Sequence, residues 1–201
     1  MQERKRPMPV GIEDFGDLIR KEYCFVDKTR FIRDLLDFQT PVTLITRPRR
    51  FGKTLTLSML RYFFDMENGE ENRELFCGLD IERAGERYMR EQGTRPVVFL
   101  TLKEVRAGEQ AVMMDLLART LQDLYLNYSY LLASERLTKE EKNIFRRVVE
   151  LGGNEADFRL SLYTLMQCLE KHHGKKPVLL LDECPTSFRN IKIIVRDVVR
   201  C

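Results

Sequence analysis

The chain has no tryptophan, only two histidines, and no apolar run near the roughly 18 residues that crossing a membrane takes. No membrane-spanning helix is therefore expected. Charge of one sign is also scarce. The 34 Lys and Arg against 31 Asp and Glu leave a formal net +3, which by itself points to no nucleic-acid partner. The five cysteines are odd in number and form no CxxC. The charged start MQERKRPMPVG lacks the apolar segment of a secretory signal. They are expected as reduced thiols of a cytoplasmic protein, most of them packed in the core. His172 and His173 are adjacent and point to different faces of a helix. The pair is expected at a solvated helix end, not at a metal.

What is present suits one soluble globular domain: 201 residues, 43% hydrophobic and 32% charged. Asp27 can cap a helix starting at Lys28, with Phe31, Ile32, Leu35 and Leu36 on one face. That helix should stop before Thr40-Pro41. VTLIT (42–46) is short, β-branched and apolar, and reads as a buried strand. A helix from Lys53 to about Met66 follows, and Asn68-Gly69 ends it. PVVFLTL (96–102) is a second buried strand. Long helices are expected over 109–131 and 155–173, the latter stopped by Gly174. Between them, Thr138 to Glu141 fits a capping box whose helix ends near Gly152-Gly153. Val178 to Leu181 form a wholly apolar strand that ends on Asp182 and Glu183. Continuously apolar strands alternating with helices predict a mainly parallel sheet covered on both faces, a three-layer α/β domain. Ligands of such sheets bind at the carboxyl edge of the strands.

Between the first strand and its helix lies TRPRRFGKTL, residues 46–55. Strand, basic loop, helix is the setting of a phosphate-binding loop. Backbone N–H groups at a helix start point at a bound anion, and the helix dipole adds about half a positive charge there. Gly52 lets the backbone approach phosphate, Lys53 reaches the β- and γ-phosphates, and the Thr54 hydroxyl suits Mg²⁺. Phe51 and Leu55 flank these residues in the same binding segment. Arg47 stands where the usual loop has glycine, so the loop cannot open as the usual tight nest. Arg49 and Arg50 either add paired contacts to phosphate or form a solvated basic loop. An apolar strand ending in Asp-Glu supplies the other half: Asp182 for Mg²⁺, Glu183 to orient and deprotonate water. Lys53 and Glu183 are thus the catalytic candidates. The FVDKT stretch (25–29) is placed near the base by its position before the loop strand.

GIEDFGDLIRKEYCFVDKTRFI, PVTLITRPRRFGKTLTLSML and KPVLLLDE together resemble the AAA-ATPase-like family of bacterial and archaeal proteins, over residues 7 to 186. The resemblance implies a P-loop NTPase fold, with an N-terminal helical lead-in (1–40), an ATPase core (41–186) and an atypical tail (187–201). It implies ATP and Mg²⁺ as ligands, with hydrolysis of ATP. In longer members a domain resembling PD-(D/E)xK nucleases follows, and nucleic acid is an implied partner through that domain; an oligomer is compatible with the pattern. The family pattern continues as DEYDxP, whereas this chain reads DECPTSFRNIKIIVRDVVRC. The expectation is a fold incomplete at its C-terminus, from a truncated or frame-shifted frame. In such ATPases a sensor strand lies between the loop strand and the Asp-Glu strand. Only residues 191–199, readable as strand or helix, are offered for that place. Two other readings stand beside this one. One is a nucleic-acid binder using the basic loop with Lys192, Arg196 and Arg200. The other is a non-catalytic remnant of a larger ATPase-nuclease protein.

Overall fold

The computed structural model describes residues 7–38, 40, 42–45, 51–103, 105, 110–152, 155–182 and 194–196. The first helix, α1 (Phe15–Arg20), starts on Asp14, whose carboxylate accepts the Asp17 N–H at 2.8 Å. The same carboxylate accepts the Ser58 and Tyr62 hydroxyls, so it also ties α1 to α3 (Lys53–Phe64). Burial, then the Asp14 charge, raise the Tyr62 phenol above its usual pKa, so it remains a donor. The two helices touch at Gly16: a Cβ there would sit 2.6 Å from the Tyr62 ring. Only a hydrogen fits between them.

The helix α2 (Arg30–Phe38) begins two residues later than its capping signal predicts. Asp27 Oδ1 does accept the Thr29 N–H, but its Oδ2 accepts the Asp80 N–H at 2.7 Å. Thr29, fully buried, accepts the Ile81 N–H at 3.0 Å. Asp27 and Thr29 thus satisfy the first turn of α5 (Asp80–Arg83), which has no side-chain cap of its own. Short helices α4 (Gly69–Arg73) and α6 (Glu86–Met89) complete this side of the molecule.

The sheet has the order β1 (Val42–Leu44), β4 (Ile194–Arg196), β3 (Val178–Asp182), β2 (Val97–Thr101). Strands β2 and β3 are parallel, as the sequence predicts. Strand β4 runs antiparallel to both its neighbours, which corrects the mainly parallel sheet. The reason is chain length. Residues 183–193 are short of the dozen or more, usually helical, that a parallel crossover takes. The place between β1 and β3 is nevertheless filled, and by a strand. A second correction concerns β1, which is not buried. It is an edge strand, and Val42 and Leu44 are about half exposed on one face while Ile45 enters the core on the other.

Alternate residues of β2 and β3 divide between two cores. Val97, Phe99, Val178 and Leu180 face α1 to α6. Val98, Leu100 and Leu179 face α7 (Gln110–Leu126), α8 (Lys139–Val149) and α9 (Glu155–His173). The strands thus lie between two helical layers. Helix α7 stops earlier than its pattern suggests and is followed by a 3-10 turn over Ser129–Ala133. Tyr128, at the break, donates its hydroxyl to the Val97 carbonyl of β2 at 2.6 Å. Thr138 and Glu141 form the predicted capping box. Helix α8 ends on Leu151 at φ 55°, with Gly152 N–H bonded back to Arg147 O, so the left-handed position falls on leucine and not on the glycine after it. Helix α9 runs as predicted, and Gly174, at φ 69°, closes it.

His172 and His173 do end α9, but that end is half-buried and not solvated. His173 Nε2 bonds the Tyr130 hydroxyl and His172 Nδ1 the Ser134 hydroxyl, in a half-buried cluster. Of the described cysteines, Cys168 is buried and burial pushes its thiol up to about 11, whereas Cys24 and Cys77 are exposed. Cys184 and Cys201 lie outside the described residues. No helix among the described residues is long and apolar enough to cross a membrane.

Candidate functional site

Gly52 adopts the left-handed conformation, φ 69° and ψ 33°, immediately before α3. An L side chain is strained there, which is why glycine holds the position. Its carbonyl accepts both the Thr56 N–H at 2.9 Å and the Thr56 hydroxyl at 2.8 Å. The turn is thereby locked onto the helix. Helix α3 has no acidic residue in its first turn and no side-chain cap. The first N–H groups of a helix have no acceptor within it, and its positive pole favours an anion.

This helix start opens into a cleft of about 1000 Å³. Phe51, Gly52, Lys53, Thr54 and Leu55, five residues expected at the site, all line it. Phe51 is mostly exposed, and Leu55 packs partly into the core. The Thr56 hydroxyl is engaged by the Gly52 carbonyl, and Thr54 lines the cleft beside it. Arg49, Arg50 and Glu183 lie outside the described residues, as do Arg47, Lys192 and Arg200. Arg196 falls in β4, inside the sheet.

Asp182 is buried at the end of β3 and does not line the cleft. The register places it nonetheless at the relevant edge. Thr43, Val195 and Leu180 stand level across β1, β4 and β3. Leu44 is therefore level with Leu181, and β1 delivers the chain to the loop at the edge where Asp182 ends its strand. Two strand spacings separate them, roughly 10 Å. The Thr101–Asp182 pair and the bond from Leu102 N–H to Asp182 O fix the backbone there.

The opposite wall of the cleft comes from two stretches. Met8 to Glu13 form one, pinned where Cys24 N–H bonds Pro7 O at 2.8 Å. Phe25, Val26 and Lys28 form the other, so FVDKT does border the cleft. Lys103, from the segment after β2, also lines it and pairs with Glu13 at 3.6 Å across an exposed rim. The sequence motifs did not assign Lys28, Lys103 or residues 8–13. Their only signal was the FVDKT string itself, whose position suggested proximity without naming a contact.

A family model described as a predicted AAA-ATPase matches residues 9–191. The chain belongs to this predicted AAA-ATPase family. The match spans residues 9–13 of the N-terminal wall, the Gly52 turn, Asp182 and strands β1 to β3, and stops before β4. A stretch of 78 residues is also 37% identical to an uncharacterized protein in the vnfD 5′ region of Azotobacter chroococcum mcd 1. That stretch is 38% of this chain and 14% of that protein, so the chain spans only a small part of its relative. No solved structure matches the chain. Family membership is consistent with ATP binding.

Proposed function

We propose that the cleft binds Mg-ATP and that the chain hydrolyses it. The observation that carries this reading is the left-handed Gly52 turn at the head of a twelve-residue helix, opening with Lys53 and Thr54 into one cleft. The N–H groups of the first turn of α3 hold the phosphates, and Lys53 places its charge on them. The Thr54 hydroxyl in the cleft and the Asp182 carboxylate, buried about two strand spacings away, are the hard oxygen donors proposed to hold magnesium, which requires the Asp182 side chain to turn toward the cleft. When bound there, the ion would neutralise charge on the β- and γ-phosphates. Glu183, next to Asp182 in the chain, is the group proposed to orient the attacking water and take its proton. The base is proposed to lie along the wall of Phe25, Val26 and residues 8–12.

Thermal unfolding with and without Mg-ATP tests binding. At a hundred times the dissociation constant the midpoint should rise by roughly 5 to 10 °C. Lys53→Ala should abolish the rise; a rise of full size in that variant rules the site out. Phosphate release tests turnover. Glu183→Gln should keep the thermal shift and lose release, and unchanged release would remove Glu183 from the mechanism.

A further inference from the structure

We propose that Lys28 is a second phosphate-contacting cation, reaching the Gly52 turn from the wall that α3 does not supply. The inference rests on the nucleotide reading and names a residue that reading does not use. The Lys28 Nζ lies 3.6 Å from the point that a Cβ on Gly52 would occupy, and apart from the chain neighbours Phe51 and Lys53 no other described side chain comes within 4 Å of that point. The space over the left-handed glycine is therefore faced by an ammonium.

Lys28 is held there by its neighbours. Asp27 is bonded to Thr29 and to the start of α5, and Thr29 is fully buried against Ile81. The backbone on both sides of Lys28 is thus fixed, and only its side chain reaches into the cleft. Its charge has the wrong sign for a structural role. A cation beside a helix N-terminus opposes the dipole, and the Lys53 ammonium belongs to the same turn. Among the described residues Lys28 forms no ion pair. Two lysines and a helix start on one cleft become favourable together when a polyanion fills it. A triphosphate supplies that charge.

Calorimetric titration of wild type, Lys28→Ala, Lys28→Gln and Lys53→Ala with Mg-ATP and with inorganic tripolyphosphate tests the proposal. Losing one charge-assisted contact should weaken both ligands about 10- to 100-fold in the Lys28 variants. Lys28→Arg should stay within a few-fold of wild type. Without ligand, the Lys28 variants should melt at or above the wild-type temperature, since a cation is removed from the positive pole. Lys28→Ala and Lys28→Gln binding ATP as wild type does, while Lys53→Ala fails, would overturn the role of Lys28 and leave the nucleotide site standing. A ligand-free melting point lowered in both variants would make Lys28 structural and also overturn it. ATP binding that survives Lys53→Ala would remove both readings.

Discussion

The two sides of the sheet are built on different principles. The side with the cleft uses short helices and a knot of rings: Phe15 stacks on Phe76 at 5.2 Å, and Phe63 meets Phe76 edge-on at 5.2 Å and Phe64 at 5.1 Å. Its elements are tied by polar bonds between distant parts of the chain, Phe15 to Ser58, Asp27 to Asp80 and Thr29 to Ile81. The other side is a slab of three long helices, α7 to α9, joined by Tyr125 to Ser161 and closed locally by the Thr138 capping box. Short elements cannot hold a loop in place by their own length. Both sides carry hydrogen bonds between distant parts of the chain; on the cleft side they tie short elements to one another, whereas in the slab they join helices long enough to pack along their own length.

The largest effects expected are from Phe76→Ala on the cleft side and Phe145→Ala in the slab, both fully buried. Each should cost about 3 to 5 kcal/mol in urea denaturation. The comparison predicts that ATP affinity of the folded fraction falls for Phe76→Ala and stays at the wild-type value for Phe145→Ala. Equal affinities would break it. Next, Thr29→Ala leaves the buried Ile81 N–H without its acceptor and should cost about 1 to 3 kcal/mol, largely recovered in Thr29→Ser. Thr138→Ala should cost about 1 kcal/mol through the lost cap and leave ATP binding alone.

The smallest effect is one of pH, confined to the slab. Burial, then the charges of His172 and Arg136, lower the pKa of His173 below its ordinary 6.5. The folded protein therefore binds fewer protons at this site than the unfolded chain. Its contribution is complete above pH 6.5 and is lost as the pH falls through the lower folded value. Melting temperatures recorded across that window should decline less in His173→Gln than in wild type.

Much of the slab was legible in the sequence because its signals are local. The Thr138–Glu141 box, the run from Glu155 to His173 and the Gly174 stop each lie within one element. The strand pair β2–β3 was legible as two unbroken apolar runs. The cleft side was legible only where one segment carries the chemistry, as Gly52 to Leu55 do. What escaped is nonlocal. Nothing in Asp27 announces that it caps a helix at Asp80, and nothing in Lys28 announces Gly52. The direction of β4 follows from the length of its connection, and the exposure of β1 from its edge position, neither of which a hydrophobic run encodes. Leu151 and Glu22 take left-handed positions that glycine usually signals, so two helix ends carry no glycine at the turn itself.

The missing side chain at Gly16 couples parts of the molecule that the sequence keeps apart. With the Tyr62 ring against its backbone, the first helix is positioned directly on α3. The segment that pins the distant wall leads into that first helix and returns from it. Both jaws of the cleft are therefore joined through one set of contacts. On the proposed reading, a nucleotide entering the cleft would find both jaws already tied together, and the fewer groups it has to order, the more of its contact energy is kept as affinity.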